Sequence, residues 1–271
     1  MRWLALSLLV AVPAFAQSQN NIQAVLERDL REMTALIPGV YSNEEDVYFQ
    51  DDLDLGTDMP RVEMRITPDG DGFRATSVTE NGEGEARLSY SISDGHIRSL
   101  ETRAGEPDCR RVFHRRFDTF VGKSENDACG GEVMISESGL AYDTGEHTLE
   151  LNRADPFTCW VAPQKTDGEY AFRNDIVLHD GGGREWIAGE DFETVGLRMR
   201  HVRWPSKTNR DSLVLYVHRG EDTDWERAES YAWTEPNADR IALNLRWVQV
   251  SCTRGGDIVT PGINLKTGSG N

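Results

Sequence analysis

After its first 16 residues the sequence has no apolar run long enough to cross a bilayer. It has no internal repeat and no low-complexity linker, which excludes solenoids and strings of tethered modules. It lacks a G-x-S-x-G elbow, a Walker loop and a dinucleotide fingerprint, so the usual signatures of serine hydrolases, phosphate-loop enzymes and Rossmann dehydrogenases are absent. The six histidines show no metal-ligand spacing. Positive charge is scarce: 29 Lys and Arg stand against 46 Asp and Glu, for a formal charge of −17. That balance argues against nucleic acid and anionic membrane surfaces as partners.

What is present begins with an export signal. In residues 1–16, MRWLALSLLVAVPAFA, Arg2 supplies the positive region, Trp3 to Val12 the short apolar core, and Ala14-Phe15-Ala16 a small-x-small cleavage site. The mature chain is expected to start near Gln17 and to be periplasmic or secreted, with no membrane span. Export permits disulfides, and four cysteines allow three connectivities. Cys109 with Cys129 is favoured because the pair flanks a compact loop, which leaves Cys159 with Cys252.

One helix is predicted over residues 20–37, capped by Asn20 or Asn21 and stopped by Pro38-Gly39. Ile22, Val25, Leu26, Leu30, Met33 and Ile37 recur along it as a single apolar stripe. Beyond it the texture is β. Residues 60–67 alternate, with Val62, Met64 and Ile66 on one face, and Pro68 to Gly72 is turn chemistry. Further strands are predicted at 73–78, 86–92, 96–102, 110–117, 132–136, 147–152, 159–162, 175–179, 196–204, 212–218, 229–234 and 240–253. Phe120-Val121-Gly122 reads as the turn after the strand at 110–117. Many short strands separated by turn signals predict an antiparallel barrel or sandwich. The tail 256–271 reads as flexible.

The run Leu36-Ile-Pro-Gly-Val-Tyr-Ser-Asn43, followed by Cys109-x-x-Val112-Phe113, Phe120-Val121-Gly122 and Cys129, resembles the CpcT/CpeT chromophore lyase family. That family shows a leader helix, an L-x-G-x-Y-S-N entry and a Cys–apolar strand–F-x-G–Cys unit. The resemblance covers about residues 30–150. It implies a mainly β, lipocalin-like (calycin-type) antiparallel barrel with one N-terminal helix, here a single domain over 17–255 with a strand-rich extension at 151–255. It also implies a bilin or other tetrapyrrole as ligand and a lyase activity that attaches it to a cysteine of an acceptor protein.

The candidate ligand residues follow from charge and from the entry motif. Arg110, Arg111, Arg115 and Arg116 concentrate positive charge in an acidic chain, and guanidinium forks suit carboxylates such as tetrapyrrole propionates. Alternation puts Arg110 and Arg116 on one face and Arg111, Phe113 and Arg115 on the other. Only one of these faces can line a cavity. Arg200 is expected opposite, with Tyr41, Asn43 and Phe113 contributing to the pocket and the rings covering the ligand. His179-Asp180, before three glycines, is the candidate acid–base pair. The alternative function is a non-enzymatic β-barrel binding another small hydrophobic or acidic ligand, or a structural module of the envelope. A homodimer is compatible with either.

Overall fold

The structure, a computed structural model, describes residues 14–256 apart from 54–58, 80–81, 145–147, 206–208, 221–224 and 226; for 14–20 and 51 it describes the backbone alone. The export signal expected over 1–16 lies outside the described residues as far as residue 13, as does the tail from 257, and Ala14 to Ala16 belong to the first turn of a helix.

Helix α1 (Ala14–Leu36) leads into strand β1 (Gly39–Ser42) and a second helix, α2 (Glu44–Asp52). Then come β2 (Val62–Asp69), β3 (Gly72–Thr79), β4 (Gly82–Ser93), β5 (His96–Thr102), β6 (Cys109–Arg116) and β7 (Thr119–Ser124). A 3-10 turn, η1 (Asp127–Cys129), precedes β8 (Val133–Ile135), β9 (Gly139–Asp143) and β10 (Thr148–Ala154). From β2 to β10 each strand pairs antiparallel with the next, and β1 pairs with both β2 and β10, which closes a ten-stranded barrel. The mainly β, calycin-like barrel expected from the sequence is therefore the fold of the first half. The two-residue hairpin turn between β4 and β5 is Asp94-Gly95, with φ values of 51° and 73°. That left-handed pair matches the right-handed twist of the strands it joins.

The strand-rich extension does not enter the barrel wall. It consists of β11 (Pro156–Pro163), β12 (Arg173–His179), β13 (Gly181–Ile187), β14 (Val195–Val202), β15 (Ser212–Arg219), β16 (Ser230–Thr234), β17 (Arg240–Asn244) and β18 (Val248–Arg254). These form two four-stranded sheets, ordered β12-β11-β18-β17 and β13-β14-β15-β16. One apolar core, with Phe157, Val161 and Val250 from the first sheet and Leu197, Leu213 and Leu215 from the second, packs them as a sandwich.

Several expectations are corrected. α1 begins before Asn20, and its stripe is only partly inward: Met33 and Ile37 are buried in the barrel core, whereas Ile22 and Val25 are exposed because the early turns overhang the barrel end. α2 was not expected. The turn after β6 lies at Phe117-Asp118, with Phe117 at a φ of 56°, so Phe120-Val121-Gly122 is part of β7. Gly122 is needed there because the Phe113 ring lies 2.5 Å from where its Cβ would stand. The predicted strand 240–253 is two strands, folded back at 245–247. The run Gly181-Gly182-Gly183 is the start of β13.

Both expected disulfides are formed, Cys109–Cys129 and Cys159–Cys252, with Cα separations of 4.7 and 4.0 Å. The first joins β6 to η1, and the second crosslinks register partners on β11 and β18 inside the sandwich. Two disulfides and no free cysteine among the described residues fit an oxidising compartment. No helix of the described residues is long and apolar enough to cross a membrane.

Candidate functional site

The barrel is hollow. A cavity of about 760 Å³ occupies its interior. Its apolar wall includes Ile37 just after α1, Val62 and Ile66 of β2, Phe113 of β6, Ile135 of β8 and Leu140 of β9. Room exists because several inward positions carry small residues; Ala75 and Ala86, register partners on β3 and β4, both face it. The lining residues that reach solvent, among them Glu83, Glu85, Arg103 and Glu106, gather where β4 begins and β5 ends. α1 covers the end where β6 finishes, held by Arg115, which pairs with Asp29 and Glu32.

A polar shelf crosses the inner wall. Register places Tyr90 beside Ser99 and Ser99 beside Arg111, on three neighbouring strands. The Tyr90 ring meets Phe113 edge-on at 5.9 Å. Burial raises the pKa of Tyr90, and the nearby Glu101 charge adds to the effect; burial likewise raises Tyr142. Both phenols stay protonated and neutral. Arg111 Nη1 donates to Glu101 Oε2 at 3.1 Å and to Cys109 Sγ at 2.7 Å, and Nη2 donates to the Cys129 carbonyl. The guanidinium thus latches the disulfide loop to the cavity wall.

The candidate ligand residues separate accordingly. Arg111 and Phe113 line the cavity. Arg110 and Arg116 point outward, and Arg115 serves the helix. Tyr41 is fully buried and is not offered to a ligand: its hydroxyl donates to the Leu36 and Ile37 carbonyls at 2.7 and 2.9 Å, and Arg153 lies over its ring. Asn43 is also buried, bridging the Pro60 carbonyl and the Val62 N–H to join β1 to β2.

Arg200 is not opposite β6. It lies on β14, in the sandwich, where alternation sends Leu197 and Met199 into the core and Arg198 and Arg200 toward α2. There Glu45 accepts from Arg200 at 2.7 and 3.1 Å, and Tyr48 lies under its guanidinium. Glu44 binds Arg198 and Arg184 at 2.5 and 2.7 Å through Oε1, and Arg61 at 3.2 Å through Oε2. This buried network locks the barrel to the sandwich. The glycine run permits it: a Cβ on Gly182 would stand 2.5 Å from Glu44 Cγ, and its φ is +97°.

His179 and Asp180 lie in the same junction and do not form a pair. His179 Nε2 is 3.2 Å from Glu63 Oε2 on β2, while Asp180 Oδ1 accepts the Asp155 N–H at 2.7 Å. Burial pushes the Asp180 carboxyl up to about 6, an effect that the Asp155 hydrogen bond and Arg254 only partly oppose. Both side chains are buried, and neither lines the barrel cavity. No group of residues among those described could hold a metal ion.

Tyr90, Ser99, Glu101 and Tyr142 were not singled out from the sequence. Alternation in Leu88-Ser-Tyr90-Ser-Ile92 does put Tyr90 on an apolar face, but which face turns inward is decided by barrel closure. No family model matches the chain, and no curated protein and no solved structure matches it.

Proposed function

We propose that the barrel is a vessel for one small, mainly apolar molecule, held in the interior cavity of an exported protein. The observation that carries this reading is a barrel interior left unfilled at about 760 Å³, a size suited to one drug-sized ligand. A filled barrel would have served a purely structural module better, because an unfilled core forfeits packing. Residues 1–16 act as the export signal in this reading, and the two disulfides suit the destination. The resemblance to CpcT/CpeT chromophore lyases makes a linear tetrapyrrole the first natural ligand to test. Its transfer to a cysteine of an acceptor protein is the activity that the resemblance implies.

The test is a titration with Nile red, a neutral dye whose fluorescence rises in apolar surroundings. The purified oxidised chain should bind it. Replacing Ala75 and Ala86 by Phe fills the space between β3 and β4 and should weaken binding at least about tenfold, without unfolding the barrel, because the added rings enter empty volume. Unchanged dye affinity in that variant would place the dye elsewhere and end the proposal. A bilin titration followed by absorption then decides the chromophore reading separately.

A further inference from the structure

We infer that the cavity is built for a lipophilic amine, an apolar body carrying a protonated nitrogen. The inference rests on the proposal that the barrel holds a ligand, and it names the class. Five carboxylates line the cavity, Glu83, Glu85, Glu101, Glu106 and Asp143, against two guanidiniums, Arg103 and Arg111. Both guanidiniums are already engaged by Glu101: Arg103 at 2.7 Å and Arg111 at 3.1 Å. Arg111 is further committed to the Cys129 carbonyl and is not offered to an incoming anion, and the half-exposed Arg103 at the rim is flanked by Glu101 and Glu106. Glu83 has no ion pair among the described residues, and Glu85 has only the exposed Arg74 at 3.7 Å. Such an exposed pair neutralises little.

A carboxylate-rich rim alone would describe a solvated surface. The interior adds an independent sign of a ligand. Ser99 is only 7% exposed and lines the cavity, yet its hydroxyl has no hydrogen-bond partner among the described residues. The Tyr90 and Tyr142 hydroxyls line the same cavity, also without such a partner. Ser99 is nine-tenths buried, and the two tyrosines are partly buried, so all three hydroxyl oxygens are open to a molecule in the cavity. An ammonium suits them. It donates to hydroxyl oxygens, its charge is balanced by the surplus carboxylates, and the Tyr90 and Phe113 rings offer cation–π faces. The chain's formal charge of −17 draws cations toward the opening and repels anions.

The experiment displaces Nile red from the oxidised full chain at pH 7 with dodecylamine and with dodecanoate, each below its micellar concentration. The two share an alkyl chain length and differ in charge. Dodecylamine should displace the dye at a concentration at least about tenfold lower. The Glu83→Gln/Glu85→Gln variant should narrow that gap. Equal or better displacement by dodecanoate, or a gap unchanged in the variant, overturns the inference while the vessel reading stands. Failure of Nile red to bind the parent chain overturns the vessel reading, and this inference with it.

Discussion

The two halves of the molecule use the same material to opposite ends. Both are antiparallel β with alternating faces, and each contains one disulfide. In the sandwich every inward position meets an opposing sheet, and Leu197, Met199, Leu213, Leu215 and Val217 are fully buried. In the barrel the inward residues face one another across a closed wall too wide to fill, and Leu88, Tyr90, Met64 and Tyr142 remain only partly buried. A sheet that closes on itself sets its own diameter through strand number. A pair of sheets can approach until the side chains interlock. The half that cannot collapse keeps the room for a ligand, and the half that can supplies rigidity.

The largest expected effects come from the disulfides. Replacing Cys159 and Cys252 with Ala opens a loop of 93 residues and should cost about 4.5 kcal/mol by the loop-entropy relation. Removing Cys109–Cys129, with a separation of 20, should cost about 3 kcal/mol. Urea midpoints of the two oxidised variants test the order, and a larger loss from the barrel bridge would reverse the division of labour drawn here. Next comes packing. Leu215→Ala in the sandwich should cost about 2–5 kcal/mol, as for a fully buried leucine. Leu88→Ala, already beside empty volume, should cost less than about 1.5 kcal/mol. Equal losses in chemical denaturation would mean that the barrel is as tightly filled as the sandwich.

A pH-dependent effect sharpens the comparison at the seam between the halves. Burial raises the Asp180 carboxyl to about 6 in the folded chain, above its ordinary unfolded value, so the folded state holds the proton more tightly. Its stabilising contribution is fully present below about pH 4 and is lost as pH climbs through about 6. Asp180→Asn keeps the oxygen that accepts the Asp155 N–H and has no charge to bury. The variant should match the parent near pH 4 and exceed it at pH 7 by up to about 3 kcal/mol. A stability difference that does not change between those pH values would show that Asp180 is not the titrating group.

Much of the barrel was legible in the sequence because its strands obey period two and its turns carry Asp, Asn and Gly. β3, β4, β5 and β6 fall where alternation put them. Both disulfides followed from export and from one compact loop. α2 escaped because Glu44 to Asp52 has no apolar stripe, although Ser42 before Glu44-Glu45-Asp46 is a helix-start signal: the Ser42 hydroxyl accepts the Glu44 N–H at 3.0 Å. The candidate site was legible only in part. Alternation gave two possible faces for β6, and closure chose the one with Arg111. What alternation could not show was that Glu101 and the Cys129 carbonyl, distant in sequence, already occupy that guanidinium. Arg200 looked like a ligand anchor for the same reason: its partner Glu45 lies on the helix that went unseen.

The pairing of Val40 with Ala154 sets an order in time. β1 is the first strand of the barrel to be synthesised and the last to be enclosed, since its second neighbour is β10. The intervening hairpins are local and can zip early, but the seam must wait for a closure of high contact order, and such closures are slow. Until it forms, β1 and β10 present bare edges of the kind that recruit other strands. The cavity therefore comes into being in a single late event, and a chain held before that event has the strands of the vessel but nothing to hold a ligand in.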